Sequence, residues 1–91
     1  MKCYGIFKFA ERPRLKSYGN TVKSEFDLYY TSKRADNNID KIYLPFECWD
    51  SAAEYIVNNC IEGDSIYIES SPKVAGHEII FRINTFKVFN V

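Results

Sequence analysis

Residues 21–31 alternate cleanly between two kinds of side chain. Val22, Phe26, Leu28 and Tyr30 fall on one face, and Lys23, Glu25, Asp27, Tyr29 and Thr31 fall on the other. A period of two is that of a β-strand with one face turned to a core. Residues 41–49 repeat the pattern, with Ile42, Leu44, Phe46 and Cys48 opposed to Lys41, Tyr43, Pro45, Glu47 and Trp49. Pro45 has no N–H to give to a ladder, so a bulge or a locally unpaired stretch is expected around it. Residues 2–9 are rich in aromatic and β-branched side chains and predict a first strand. Residues 10–20 hold Pro13, Gly19 and Asn20 and predict a loop, and the polar run at 32–40 predicts a flexible one.

The period then changes. Ala53, Ile56, Val57, Cys60 and Ile61 form an apolar stripe at helical spacing. Ser51 and Glu54 have the spacing of a capping box, and Asp50 suits the positive end of the helix. Gly63 can take the left-handed conformation that ends it. Beyond the helix, residues 65–69 predict a short strand, 70–76 a turn, and 77–91 a last strand with a break near Asn84. The order is β-β-β-α-β-β, with the helix between the third and fourth strands. In 91 residues that is the order of an OB-fold, a five-stranded Greek-key barrel, all-β but for one helix. A ferredoxin-like order would need a second helix, and an SH3-like barrel would lack this one.

The length allows a single domain over residues 1–91. A hydrophobic share of 46% excludes a disordered chain. Net charge is zero, which argues against a histone-like protein, yet residues 1–45 hold nine Lys/Arg against five Asp/Glu and residues 46–91 hold three against seven. A neutral total can thus hide a basic face. Cys3, Cys48 and Cys60 are an odd number with no CxxC spacing, as expected of reduced thiols in a cytoplasmic protein. No apolar run approaches the roughly 20 residues of a membrane span, so no membrane partner is expected, and the first residues read as a strand rather than a signal peptide.

Candidate chemistry lies on the polar faces. Tyr43 and Trp49 leave the third strand on the same side, beside Lys41 and Glu47, whose need for water argues that this side is not the core. Tyr29 shares the polar face of the second strand. Flat rings on a strand surface with cations nearby can stack unpaired bases without regard to sequence. Arg12, Arg14 and Lys16 in the first loop, Lys33 and Arg34 in the second, and Lys73 in the late turn are candidates for phosphate contacts, with Lys41. The plainer readings are a Trp49 packed at a subunit interface or under the helix start, and ordinary solvated lysines. Little supports an enzyme. His77 stands alone, the carboxylates are scattered, and no metal-ligand spacing, phosphate loop or dinucleotide fingerprint is present. Cysteine catalysis would need a base and an orienting group.

The run Tyr43-Leu44-Pro45-Phe46-Glu47-Cys48-Trp49-Asp50-Ser51-Ala52-Ala53-Glu54-Tyr55-Ile56-Val57, continuing through Cys60-Ile61-Glu62-Gly63-Asp64-Ser65-Ile66-Tyr67-Ile68-Glu69, resembles the central block of bacterial and phage single-stranded DNA-binding proteins (SSBs). Thr21-Val22-Lys23-Ser24-Glu25-Phe26-Asp27-Leu28 is similar to an upstream strand of that family. The resemblance implies an OB-fold that assembles as a homodimer or homotetramer and wraps single-stranded DNA in replication, recombination or repair. It implies stacking on aromatics of the third strand, here Tyr43 and Trp49. Departures are a more basic first loop (Glu11-Arg12-Pro13-Arg14), Asp50 and Ser70 where glycine is common, and Lys33 and Arg34 in place of a stacking aromatic. The family's linker and acidic tail have no match before Val91, so either the chain is trimmed from a longer one or it is a minimal protein, as a phage or plasmid origin would suit, in which tail-mediated recruitment of partners is not expected.

The expectation is a non-catalytic single-stranded DNA binder without a cofactor or metal. The alternative is an SSB-like OB module that docks a replisome or primosome protein, with weak or no affinity for single strands. RNA is a third possibility, since stacking does not read the 2′-OH.

Overall fold

The computed structural model describes residues 3–89. Its elements are β1 (Cys3–Phe9), β2 (Lys16–Tyr18), β3 (Thr21–Lys33), β4 (Ile39–Trp49), α1 (Asp50–Asn59), β5 (Ser65–Ala75) and β6 (Glu78–Phe89). The strands run side by side as β1-β5-β6-β4-β3-β2, and β1 also pairs with β3 through Lys8↔Tyr29 and Phe9↔Leu28. That extra pairing closes the five long strands into the barrel of an OB-fold, with the helix between the third and fourth of them. The expected ends of the first and last strands, at residue 2 and at residues 90–91, lie outside the described residues.

Alternation puts one face of every long strand inside. Phe9, Phe26, Leu28, Phe46, Ile66, Ile68 and Ile83 meet there, closed at one end by Ala53, Ile56 and Cys60 of the helix region. Burying each of the large side chains stabilises the fold by roughly 1.5–3 kcal/mol. Cys48 and Cys60 are buried and free, and Cys3 is half-buried and free. Burial pushes the Cys48 thiol up to about 12 and the Cys60 thiol up to about 11, so neither is a thiolate at neutral pH.

Several local expectations are corrected. Residues 16–18 are not loop: they form β2, a three-residue strand laid against the start of β3. The loop expected at 32–40 is shorter than expected, because β3 runs on to Lys33 and β4 starts at Ile39, leaving a connection of residues 34–38 with Asn37 in the left-handed region at φ 68°. Pro45 causes no bulge. It sits opposite Asp27 in an unbroken register, and the short β6 ladder begins only at the next residue, Phe46. The turn expected at 70–76 is strand. β5 continues to Ala75, and the chain reverses at Gly76 (φ 66°), so Lys73 is a strand residue. The break expected near Asn84 is a β-bulge, since Glu69 opposes Thr85 while Ser70 opposes Ile83.

The helix termini also differ. The capping box does not form, because the N-cap is Trp49, two residues before Ser51, and no side chain caps the helix start. Asp50 takes φ 52°, a left-handed backbone that disfavours a side chain, and its Oδ1 accepts the Val22 N–H at 3.3 Å. Gly63 (φ 89°) serves the turn after the helix rather than its C-cap, which is the extended Cys60. That turn is tied to β1, with Gly63 N–H donating to the Phe9 carbonyl at 2.9 Å and Phe9 N–H to the Asp64 carbonyl at 3.0 Å. Ile61 consequently leaves the apolar stripe and is exposed.

Asp50 therefore combines a strained backbone with a bond that only its carboxylate supplies. Asp50→Ala keeps the strain and loses the bond, and should destabilise the protein by about 2 kcal/mol. Asp50→Gly relieves the strain and should lose less than about 1 kcal/mol. Thermal denaturation of the two variants tests this, and equal losses would show that backbone conformation is not the constraint.

Candidate nucleic-acid interface

The strand registers lay out the outer face of the barrel row by row. Lys23 lies opposite Trp49, Glu25 opposite Glu47, Asp27 opposite Pro45, Tyr29 opposite Tyr43, and Thr31 opposite Lys41. On the other side of β4, Glu47 is beside Arg82, and Arg82 is opposite Ser71 of β5. Residues that pair directly share a face. Tyr29, Tyr43 and Trp49 thus stand outside the barrel.

They form two clusters. At one end the Tyr29 and Tyr43 rings are 5.5 Å apart and tilted by 42°. Tyr43 is 52% exposed. The Lys41 ammonium sits 4.9 Å from the centre of the Tyr29 ring. A cleft of about 420 Å³ opens beside these three residues. At the other end Trp49, half-buried, is flanked by Tyr18 at 6.2 Å. Lys23 Nζ lies 4.9 Å from its ring centre and Lys73 Nζ lies 5.9 Å from it. A cleft of about 490 Å³ lies here, lined by Trp49, Arg82 and Asn84 among others.

Glu47 holds the second cluster together. Its side chain has no exposure at all. The Trp49 indole N–H donates to Oε2 at 2.9 Å, Lys73 Nζ donates to both oxygens at 3.2 Å, and Arg82 Nε donates at 3.2 Å. Lys23 Nζ adds an ion pair at 3.5 Å. Burial alone would raise the carboxyl pKa. The hydrogen bonds from Trp49, Arg82 and Lys73 and the charge of Lys23 outweigh it and hold the group down at about 2. The expectation that Glu47 reaches water is therefore wrong, although the face it marks is an outer one. Lys23 is pushed up chiefly by its hydrogen bond to Glu25, against its own burial.

The expected cations do not converge on one groove. Lys73 joins the Trp49 cluster. Lys16 stands opposite Lys23, next to that cluster. Lys41 belongs to the tyrosines. Arg12 and Arg14 stay exposed on the loop before β2, anchored where the Ser24 hydroxyl donates to the Arg14 carbonyl at 2.8 Å. Lys33 and Arg34 lie at the far hairpin tip, and Arg34 is engaged by Asp40 at 3.4 Å and Asp36 at 3.7 Å. Tyr18 and Arg82 were missed. The alternation of Glu78, Ile80, Arg82 and Asn84 against buried Ile83 is a signal that could have found Arg82. Among the described residues no group of three or more His, Cys, Asp or Glu is placed to hold a metal, and no helix is long and apolar enough to cross a membrane.

No protein-family model and no curated protein sequence matches the chain. Solved structures do. The small single-stranded DNA-binding protein from Streptomyces coelicolor superposes with a TM-score of 0.81 at 13% identity, over 98% of this chain and 91% of that one. The second single-stranded DNA-binding protein of Mycobacterium smegmatis gives 0.79 at 15%, over 96% and 86%. The protein priB of Ralstonia solanacearum gives 0.78 at 9%, over 98% and 97%. At these identities the likeness is one of fold, that of the OB-fold.

Glu47 makes a pH test possible. Its folded pKa is depressed, so its contribution is complete above the ordinary value of 4.5 and is lost as pH falls from there toward about 2. Glu47→Gln should destabilise the protein by roughly 3 kcal/mol at pH 7, and the gap to wild type should close by about pH 2. Chemical denaturation across that range checks it. A gap that does not change with pH would mean the carboxylate charge is not what the cations hold.

Proposed function

We propose that the protein is a non-catalytic single-stranded DNA-binding protein that works without a cofactor. The observation that carries this reading is the placing of Trp49 and of the Tyr29–Tyr43 pair on the outside of the barrel, each with a lysine ammonium over a ring. A base laid on such a ring gains roughly 1–3 kcal/mol, and every base offers a π-face, so binding is indifferent to sequence. Phosphates meet Lys41 at one cluster and Lys16, Lys73 and Arg82 at the other, with Arg12, Arg14, Lys33 and Arg34 as peripheral cations. The structural neighbours support the reading, since two of those described are single-stranded DNA-binding proteins by name.

The biological setting that fits is protection of exposed single strands in replication, recombination or repair, in the cytoplasm. Self-association into a homodimer or homotetramer belongs to the same reading. Tyr4 and Ile6 on β1 are 65% and 63% exposed, and they lie beside one another on the outer face of a strand that, among the described residues, has no sheet neighbour beyond β5 and the end of β3. The second reading, a protein-docking OB module, draws on the priB likeness and on the zero net charge.

Titration with fluorescently labelled oligo-dT at two salt concentrations separates the two. Wild type should bind, more weakly at higher salt, with Trp49 fluorescence quenched. Trp49→Ala and Tyr43→Ala should each lose about tenfold in affinity. Duplex DNA should compete poorly because its bases are already stacked. Unchanged affinity in both variants would remove the stacking reading, and absence of any binding would favour protein docking. Light scattering on the same sample gives the assembly size.

A further inference from the structure

The two aromatic clusters are separated by carboxylates. Tyr43 and Trp49 are six positions apart on β4, roughly 20 Å at the rise of a strand. The outer-face residues between them on β3 are Glu25 and Asp27. Glu78 stands on β6 two positions before Ile80, and Glu11 reaches in from the loop after β1. These four carboxylates, with Pro45 and Ile80, line a shallow hollow of about 210 Å³. Lys23 engages Glu25. Asp27, Glu78 and Glu11 have no cation within ion-pair distance among the described residues.

A nucleic-acid backbone running straight from one cluster to the other would carry its phosphates over this strip. At physiological salt the screening length is about 8 Å. The clusters, at more than twice that spacing, are electrostatically independent, whereas a phosphate crossing the hollow lies within reach of several carboxylates. Like charges brought together in this way disfavour that path.

Resting on the single-strand reading above, we propose that the interface is divided. Trp49 with Lys23, Lys73 and Arg82 is one subsite, Tyr29 and Tyr43 with Lys41 is another, and the carboxylates of Glu11, Asp27 and Glu78 hold the intervening backbone away from the sheet. The surface takes two short runs of unpaired nucleotides joined by an arched segment, not one continuous track.

The test is a length series of oligo-dT, from about 4 to about 16 nucleotides, against wild type and the double variant Asp27→Asn/Glu78→Gln. Both substitutions keep size and remove charge at exposed positions. Circular dichroism checks folding, and Glu11→Gln on the loop provides an independent variant. In wild type, affinity should rise in a step at the length that first reaches both subsites. The double variant should bind long oligomers about two- to fivefold more tightly and the shortest ones no differently. A smooth rise with length, an unchanged affinity for long oligomers, or an equal gain at every length would overturn the division while leaving single-strand binding intact. Failure of wild type to bind any length would instead overturn the reading on which it rests.

Discussion

A carboxylate with no exposure lies on the outside of this barrel, and much of the surface is arranged around it. Glu47 belongs to the outward row of β4, where a charged residue would ordinarily be solvated. It is covered instead by Trp49, Lys23, Lys73 and Arg82, drawn from three other places along the chain as well as its own strand. A buried charge is tolerated only when its lone pairs are met by donors and its charge by opposite charge. Satisfying that requirement collects three cations around one indole and fixes the indole edge by its N–H. The local geometry of the candidate interface thus follows from an electrostatic demand of the fold.

The same demand limits how basic the surface can be. Lys23, Lys73 and Arg82 are opposed by Glu47 and Glu25, so the Trp49 cluster carries one net positive charge rather than three. Arg34 is likewise opposed by Asp36 and Asp40 at the far hairpin. The zero net charge of the chain is therefore not the average of a basic face and an acidic one. Cations and carboxylates are interleaved on the same face, and the excess of Lys/Arg in the first half of the sequence does not fold into a continuous basic path.

The fold was legible because it rests on period and order. Alternation in β3 and β4, a helical stripe after them and the β-β-β-α-β-β sequence define the barrel, and none depends on a single contact. What failed depends on pairing between distant residues. Residues 16–18 are too few to show a period, and they become strand only because β3 offers an edge. Residues 70–75 look like a turn from their serines and proline, yet the β6 ladder extends them. Glu47 has the pattern of a solvated residue, and only the arrival of Lys73 and Arg82, 26 and 35 positions further on, buries it. The placement of Tyr43 and Trp49 outside the core was readable from alternation alone, since their partners Leu44, Phe46 and Cys48 are unmistakably apolar. The clustering of cations around them was not.

The two clusters are built on different physics, which bears on how each would treat a single strand. Trp49 is clamped by its N–H bond and by cations already engaged with a buried carboxylate, so a phosphate arriving there must compete with Glu47 for Lys73 and Arg82. Tyr43 is half open, Lys41 sits over the Tyr29 ring of its pair, Lys8 stands opposite Tyr29 across the β1–β3 pairing, and no described carboxylate lies within ion-pair distance of either lysine. On the proposed reading the first cluster contributes a rigid stacking surface with little net counterion release. The second contributes a more adaptable surface whose lysines are free to meet a phosphate. Stacking would then carry a larger share of the affinity than charge, which is how a chain with no net charge can still hold a polyanion.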